Sequence, residues 1–284
     1  MHDAGHVPGS CLFVVHIGGK RILYTSDFGM QDTRLLKGAK IKDLKNIDVA
    51  IMECTYSSKN HPERKDTEKK LYDLINETIL NEGIALVPVF AVGRAAEVLM
   101  VLNHFKPKFK IYLDGMAKAA TEIALKHPEF LRDKKALKDA LENVTMIRTP
   151  EDRKKALKEP CAIVTTGGCI DGGPAVHYIK HMWDKSENSL IFTGFQIPQT
   201  AGRYLLDTGR FVNDEMDLKL KMAVHQLDFS AHAGRDDLFD FIKEVRPKRV
   251  VAIHGENCQR FATEVRGRFA IDAEAPKIGD EIEI

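Results

Sequence analysis

Three histidines, one aspartate and one glutamate stand at the ends of apolar segments. They are His6 in DAGHVPGS, Asp27 in YTSDFG, Glu53 in IMECTY, His232 in FSAHAG and His254 in AIHGEN. Neutral imidazole and carboxylate are the donors that suit zinc or manganese. In α/β folds, functional groups gather where strands end and loops begin. Singly, each residue has a plainer role. His6 can be a turn residue, Asp27 can cap a turn before Phe28 and Gly29, and His254 can satisfy a buried carbonyl. Taken together, five such residues after apolar strands read as one shared site.

Those tips need strands to hold them. The stretch CLFVVHIGGKRILYTSDFG reads as a hairpin, with strands 12–17 and 21–25 around the turn glycines Gly18 and Gly19. NIDVAIMECTY adds a buried strand ending at Glu53. PERKDTEKKLYDLINETILNEG reads as an amphipathic helix with Leu71, Leu74, Ile75 and Ile79 on one face and Gly83 as its stop. Strands and helices then alternate through IALVPVF, KIYLDGM, VTMIR, CAIVTTGG and SLIFTGF. That alternation predicts a mostly parallel sheet flanked by helices. The remainder holds a strand before the FSAHAG loop, a helix over 235–245, the strand RVVAIHGE, another helix and a final strand in KIGDEIEI.

Composition sets wide bounds. The 284 residues carry a net charge of +1, so no global basic field marks a nucleic-acid binder, although a local groove can still be basic. The five cysteines are scattered without a C-x-x-C pair and read as reduced thiols of a cytoplasmic protein. No apolar run reaches membrane-span length. Neither G-x-G-x-x-G nor G-x-x-x-x-G-K-[ST] occurs, which speaks against a plain nucleotide-binding α/β protein.

The motifs, in this order, resemble the metallo-β-lactamase superfamily and within it the β-CASP branch of nucleic-acid-processing nucleases. AGHVPGS is similar to the family's third motif, ILYTSDFG to its fourth, and ECTY, FSAHAG and AIHGEN to the branch's motifs A, B and C. VPVFAVGRAAE, TTGGCIDGGPAVHYI and TGFQIPQTAGRYL resemble its inserted domain. The nearest likeness is to archaeal relatives of the pre-mRNA 3′-end cleavage endonuclease. The resemblance implies an α/β chain: the second half of a metallo-β-lactamase sandwich at 1–56 and 216–284, with a β-CASP domain at 57–215. It implies two zinc ions in a complete member. His6 ligates the first, Asp27 bridges and His254 ligates the second. Glu53 orients His232, the general acid of a phosphodiester hydrolysis, endonucleolytic or 5′-exonucleolytic, on single-stranded RNA. Arg94 and Arg203 are the expected phosphate contacts.

Two departures from the family pattern shape the expectation. Gly234 stands where the family usually carries aspartate. The signature H-x-H-x-D-H, which holds most of the metal ligands of a complete member, is absent. The chain is therefore expected to be a partial gene product, an excised segment or one half of a split protein. Alone it is expected to hold zinc weakly and to be inactive or weakly active. An apolar sheet face should stand open to a homodimer partner or a complementing N-terminal half. The alternative is a non-catalytic RNA-binding or scaffold subunit. His2 and Asp3 read as loop residues, and His177 and His181, spaced i, i+4 without H-E-x-x-H, as packing residues.

Overall fold

The computed structural model describes residues 1–283. Contacts divide the chain into two compact units, 1–61 with 231–284, and 62–230. The chain starts with β1 (His2–Asp3), β2 (Cys11–Ile17), β3 (Lys20–Tyr24) and β4 (Val49–Glu53). His2 and Asp3 are thus not loop residues: they pair antiparallel with Leu12 and Cys11. The β2–β3 turn has Gly18 at φ +57° and Gly19 at φ +75°. A two-residue I′ turn needs both positions left-handed, which glycine adopts without steric cost.

The inserted unit begins with α1 (Arg64–Leu80), β5 (Ile84–Val89), α2 (Arg94–His104), β6 (Lys110–Asp114) and α3 (Ala117–Lys126). It continues with α4 (Lys134–Glu142), β7 (Val144–Met146), α5 (Pro150–Ala156), β8 (Cys161–Thr166) and α6 (Pro174–Met182). It closes with β9 (Ser189–Phe192), α7 (Ala201–Thr208), β10 (Arg210–Val212), β11 (Asp217–Lys219) and β12 (Ala223–Gln226). Six strands form a wholly parallel sheet in the order β12-β9-β5-β8-β6-β7. Its central strands β5 and β8 are buried along their whole length, which is why they read as continuous apolar runs.

Two expectations change here. α1 does not end through a left-handed glycine: Glu82 takes that conformation, at φ +60°. Gly83 is needed for close approach, since a Cβ there would lie 1.8 Å from the Glu187 carbonyl oxygen. The strand expected before FSAHAG is two strands. β11 pairs with β10, and β12 extends the parallel sheet beside β9, so residues 217–226 pair within the inserted unit.

The chain then returns with α8 (Arg235–Val245), β13 (Arg249–Ile253), α9 (Cys258–Phe269) and β14 (Asp272–Glu274). The first unit's sheet has the order β1-β2-β3-β4-β13-β14. KIGDEIEI forms no strand among its described residues, Ile284 lying outside them. Gly279 at φ +94° and the Asp280 carboxylate, which accepts from Lys277 N–H at 2.8 Å, make a turn instead.

One face of this sheet, with Leu12, Leu23, Ala50, Met52, Val250 and Ala252, packs against Leu238, Phe241 and Ile242 of α8 and Phe261 and Val265 of α9. The opposite face leaves Phe13, Val15, Ile17 and Tyr24 39%, 47%, 62% and 42% exposed. The exposure is confined to the hairpin: Val49 and Val251, on the same face by register, are buried, so the sheet face is not open along its whole width as the sequence led one to expect. In the core, Phe241 is fully buried with its ring 4.7 Å from Phe28. Phe241→Ala should destabilise the fold by about 3–5 kcal/mol, from lost transfer energy plus the cavity left behind. A denaturant midpoint that falls at unchanged slope is the expected reading.

Candidate functional site

Strand direction decides which loops can meet. β3, β4 and β13 run parallel, in the registers Tyr24↔Ile51 and Ile253↔Glu53, so their C-terminal ends finish level. Asp27, Glu53 and His254 follow or close those three ends. β2 runs antiparallel to β3, so the loop that precedes β2, with His6, comes to the same edge. His232 arrives on the segment entering α8.

Backbone contacts fasten these loops together. Gly29 N–H donates to the Ala4 carbonyl at 2.9 Å, Ala39 N–H to Gly29 at 2.7 Å, and Ala233 N–H to Phe28 at 2.7 Å. Gly5, at φ +67°, has no room for a side chain: a Cβ would come within 2.7 Å of the Ala39 nitrogen and of the Gly29 oxygen. At Gly29 it would come within 2.3 Å of the Ala231 carbonyl oxygen. Asp3 accepts from Gly5 N–H at 3.0 Å, and the Ser10 hydroxyl accepts from His6 N–H at 3.2 Å, which shapes the His6 loop. Ser26 (φ +43°) and His254 (φ +49°) are held in the left-handed region, which non-glycine residues reach at a cost.

The five side chains come together. His6 Nε2 lies 3.9 Å from Asp27 Oδ2, and His254 Nδ1 lies 3.4 Å from Asp27 Oδ1. One carboxylate thus turns its two oxygens toward two imidazoles. The His232 ring centroid is 4.5 Å from that of His6 and 5.9 Å from that of His254. Two sets, His6 with Asp27 and His232, and Glu53 with His232 and His254, place their donor atoms within 4.8 Å of one another.

Glu53 is 1% exposed. Burial alone raises a carboxyl's pKa, but the hydrogen bond and charge of His232, with N–H donors from Thr55 and Phe28, hold it below the ordinary value. His232 Nδ1 is 2.7 Å from Glu53 Oε1, and Phe28 N–H donates to the same oxygen at 3.1 Å. Thr55 N–H donates to Oε2 at 3.2 Å. An ionised carboxylate only accepts, so Nδ1 carries the proton in this pair. Burial, and then the neighbouring His232, lowers the His6 pKa, with Asp27 opposing. His6 is therefore a neutral imidazole at neutral pH, the form that binds a metal.

The donors fit zinc in kind, being imidazoles and a bridging-capable carboxylate. They are few in number. His6, Asp27 and His254 would serve two ions, where a catalytic zinc ordinarily takes about three protein ligands by itself.

Residues that the sequence did not single out complete the surroundings. The Thr55 hydroxyl is 3.0 Å from both Nδ1 and the carbonyl oxygen of His254. His61 Nε2 lies 3.1 Å from the His232 carbonyl, and its ring sits 4.4 Å from that of Tyr56. Thr55 and Tyr56 lie within ECTY, where the acid drew the attention; His61 carries no spacing signal. Asn60 takes over the start of α8 beside Gly234. Its amide oxygen accepts from Asp236 N–H at 2.9 Å. Arg94 and Arg203 belong to the other unit, at the start of α2 and on α7. Arg203 Nε donates to Asp207 at 2.9 Å. The rings of His177 and His181 lie tilted against each other on α6 with centroids 4.5 Å apart, and neither joins a metal-competent group among the described residues.

The Beta-Casp domain family matches residues 95–205 and the "Zn-dependent metallo-hydrolase RNA specificity domain" family matches residues 217–276. A probable RNase (MJ4) of Methanocaldococcus jannaschii is 40% identical over the whole chain, which spans 68% of that relative.

The chain belongs to the β-CASP branch of the metallo-β-lactamase superfamily.

Other β-CASP relatives are longer. The RNase aCSPSF2 of Saccharolobus solfataricus is 37% identical, and the transcription termination factor FttA of Pyrococcus horikoshii is 34% identical; the chain spans 58% and 48% of them. A crystal structure of an Enterococcus faecalis protein of unknown function superposes with a TM-score of 0.57 over 99% of this chain and 61% of its own, at 15% identity, which speaks to fold alone. No helix among the described residues is long and apolar enough to cross a membrane.

The Glu53–His232 pair carries a pH signature. Between the lowered folded pKa of Glu53 and its unfolded value of about 4.3, the unfolded chain binds more protons. Stability from this group is present above that window and is lost as pH falls through it. Glu53→Gln should flatten the acid limb of a stability–pH curve measured by denaturant titration. An unchanged limb would mean that Glu53 is not ionised in the fold.

Proposed function

We propose that this chain is part of a zinc-dependent ribonuclease that hydrolyses phosphodiester bonds of single-stranded RNA, internally or from the 5′ end. The observation that carries the reading is the meeting of Asp27, His6, His232 and His254 at one strand edge, with Glu53 buried beneath His232. The RNase names of the longer relatives and the RNA-specificity description of residues 217–276 support the substrate class.

His6, Asp27 and His254 are the residues that would hold zinc, two ions in a complete assembly and partial occupancy here. Zinc bound there would supply Lewis acidity and an ionised water for attack on phosphorus. The chain's own residues then handle position and protons. Asp27, with its oxygens facing His6 and His254, keeps both imidazoles turned to a common centre. His232, held through Nδ1 by Glu53, would give a proton from its other ring nitrogen to the leaving oxygen. Glu53, remaining ionised, stabilises the positive imidazolium that must precede that transfer. Arg94 and Arg203 would meet RNA phosphates, their charge weakening the polyanion's repulsion.

The exposed apolar side chains of the β2–β3 hairpin, Phe13, Val15, Ile17 and Tyr24, favour a complementing segment or a second copy over them. The small donor count is what favours the alternative, a non-catalytic RNA-binding subunit.

Zinc per chain and cleavage of a labelled single-stranded RNA test the reading. The chain alone should hold zinc weakly, and an added segment bearing H-x-H-x-D-H should restore tight zinc and cleavage. In that reconstituted form, His232→Ala should lower the cleavage rate about 10²–10⁴-fold with zinc retained, the usual worth of a general acid. His254→Ala should lose zinc as well. Full cleavage by His232→Ala would overturn the assignment. Tight zinc and RNA binding without cleavage would establish the alternative.

A further inference from the structure

Beside the histidine–carboxylate cluster lies a second pair of reactive groups. Cys54 follows Glu53 directly, and Cys258 is the first residue of α9, beyond the His254 loop. Their sulfurs are 3.0 Å apart, although 204 residues separate them in sequence. We propose that Cys54 and Cys258 form a reversible dithiol–disulfide site, oxidised by low-molecular-weight disulfides of the glutathione class.

Four features support this. The Glu53↔Ile253 rung fixes the two backbone segments side by side, so the meeting of sulfurs is set by the sheet. A disulfide measures about 2.0 Å, so the sulfurs need to close by about 1 Å, within reach of a side-chain rotation. Exposure differs across the pair: Cys54 is fully buried and Cys258 is partly open. The existing thiol contacts are also given up cheaply. Cys54 Sγ faces the Ile253 carbonyl at 3.4 Å and Cys258 Sγ faces the Gly255 carbonyl at 3.0 Å, and thiol hydrogen bonds are weak. By contrast, Cys161 is buried with its sulfur against the Ala156 carbonyl.

The difference in exposure orders the chemistry. The Cys258 thiolate attacks one sulfur of the small disulfide, and the other half leaves as a thiolate. Cys54 then gives up its proton, attacks Cys258 Sγ, and expels the second half. Two protein thiols and one small disulfide thus become one protein disulfide and two small thiols. The new bond staples the exposed segment 255–257 to the end of β4. It would add a covalent link to the hydrogen bonds from Cys54 N–H and the Thr55 hydroxyl that now hold the loop carrying His254.

The test counts thiols and so is independent of any nuclease activity. The full chain is incubated with excess oxidised glutathione, quenched with an alkylating agent, denatured and digested. Free thiols should fall from five to three, with a single cross-linked peptide joining residues 54 and 258, and return to five with dithiothreitol. Cys54→Ser should stop at Cys258 carrying glutathione. Five thiols remaining free in the unaltered chain, or glutathione persisting on Cys258 with Cys54 present, would overturn the proposal. So would a cross-link joining any other pair.

Discussion

The parallel register of β3, β4 and β13 is the constraint on which the site depends. Strands that run the same way and pair level with one another must end on one line. Whatever residues follow them are then delivered to one edge at spacings of neighbouring strands, about 4.8 Å apart. Asp27, Glu53 and His254 occupy that edge. The antiparallel hairpin adds His6 by reversing direction once. A one-residue slip of β13 against β4 would exchange its core-facing Val250 and Ala252 for the opposite face, so burial of these side chains enforces the alignment of the chemistry.

Proximity alone does not make a site, and two further features refine it. Gly5 and Gly29 let three loops approach more closely than any side chain would permit. Beneath them, Glu53 keeps its charge in a buried place because His232 and two backbone N–H groups answer it. Removing one partner from such an arrangement leaves a desolvated charge, so the acid and the histidine act as a unit. Cys54, next along the chain, has its thiol pushed above the ordinary cysteine range by burial and by the Cys258 sulfur. The same packing therefore raises one titratable group and lowers its neighbour.

Much of this was legible in the sequence. The hairpin, the buried strand to Glu53, the helix over 235–245 and the alternating insert follow from periodicity and turn glycines, which are local. Likewise, the five chemical residues stood out through their position after apolar runs. What stayed hidden is set by distant contacts. Gly83 looked like a helix stop, yet its lack of a side chain answers Glu187 far along the chain. Pairing partners of 217–226 depend on which sheet edge is free, a tertiary matter. KIGDEIEI alternates as a strand would, but Gly279 and Asp280 favour a turn, and β14 has taken the place beside β13. His61 reaches the His232 carbonyl only because β4 and α8 bring their loops together, and nothing near position 61 announces it.

The first unit is assembled from two chain segments that the 62–230 insertion holds apart. Left as a slack loop, so long a spacer would burden the pairing of β4 with β13 entropically. The insertion is not slack: near its two ends the Arg64 guanidinium lies 4.7 Å from the Phe229 ring, so its folding joins its own entry to its exit. Replacing a tether of roughly 170 residues by an effective one of roughly 10 lowers the closure cost by about 2–3 kcal/mol, at about 0.6 kcal/mol per doubling. The inserted domain thus acts as a splint. Once it is folded, the two halves of the first unit's sheet meet almost as if they were neighbours in one continuous stretch of chain.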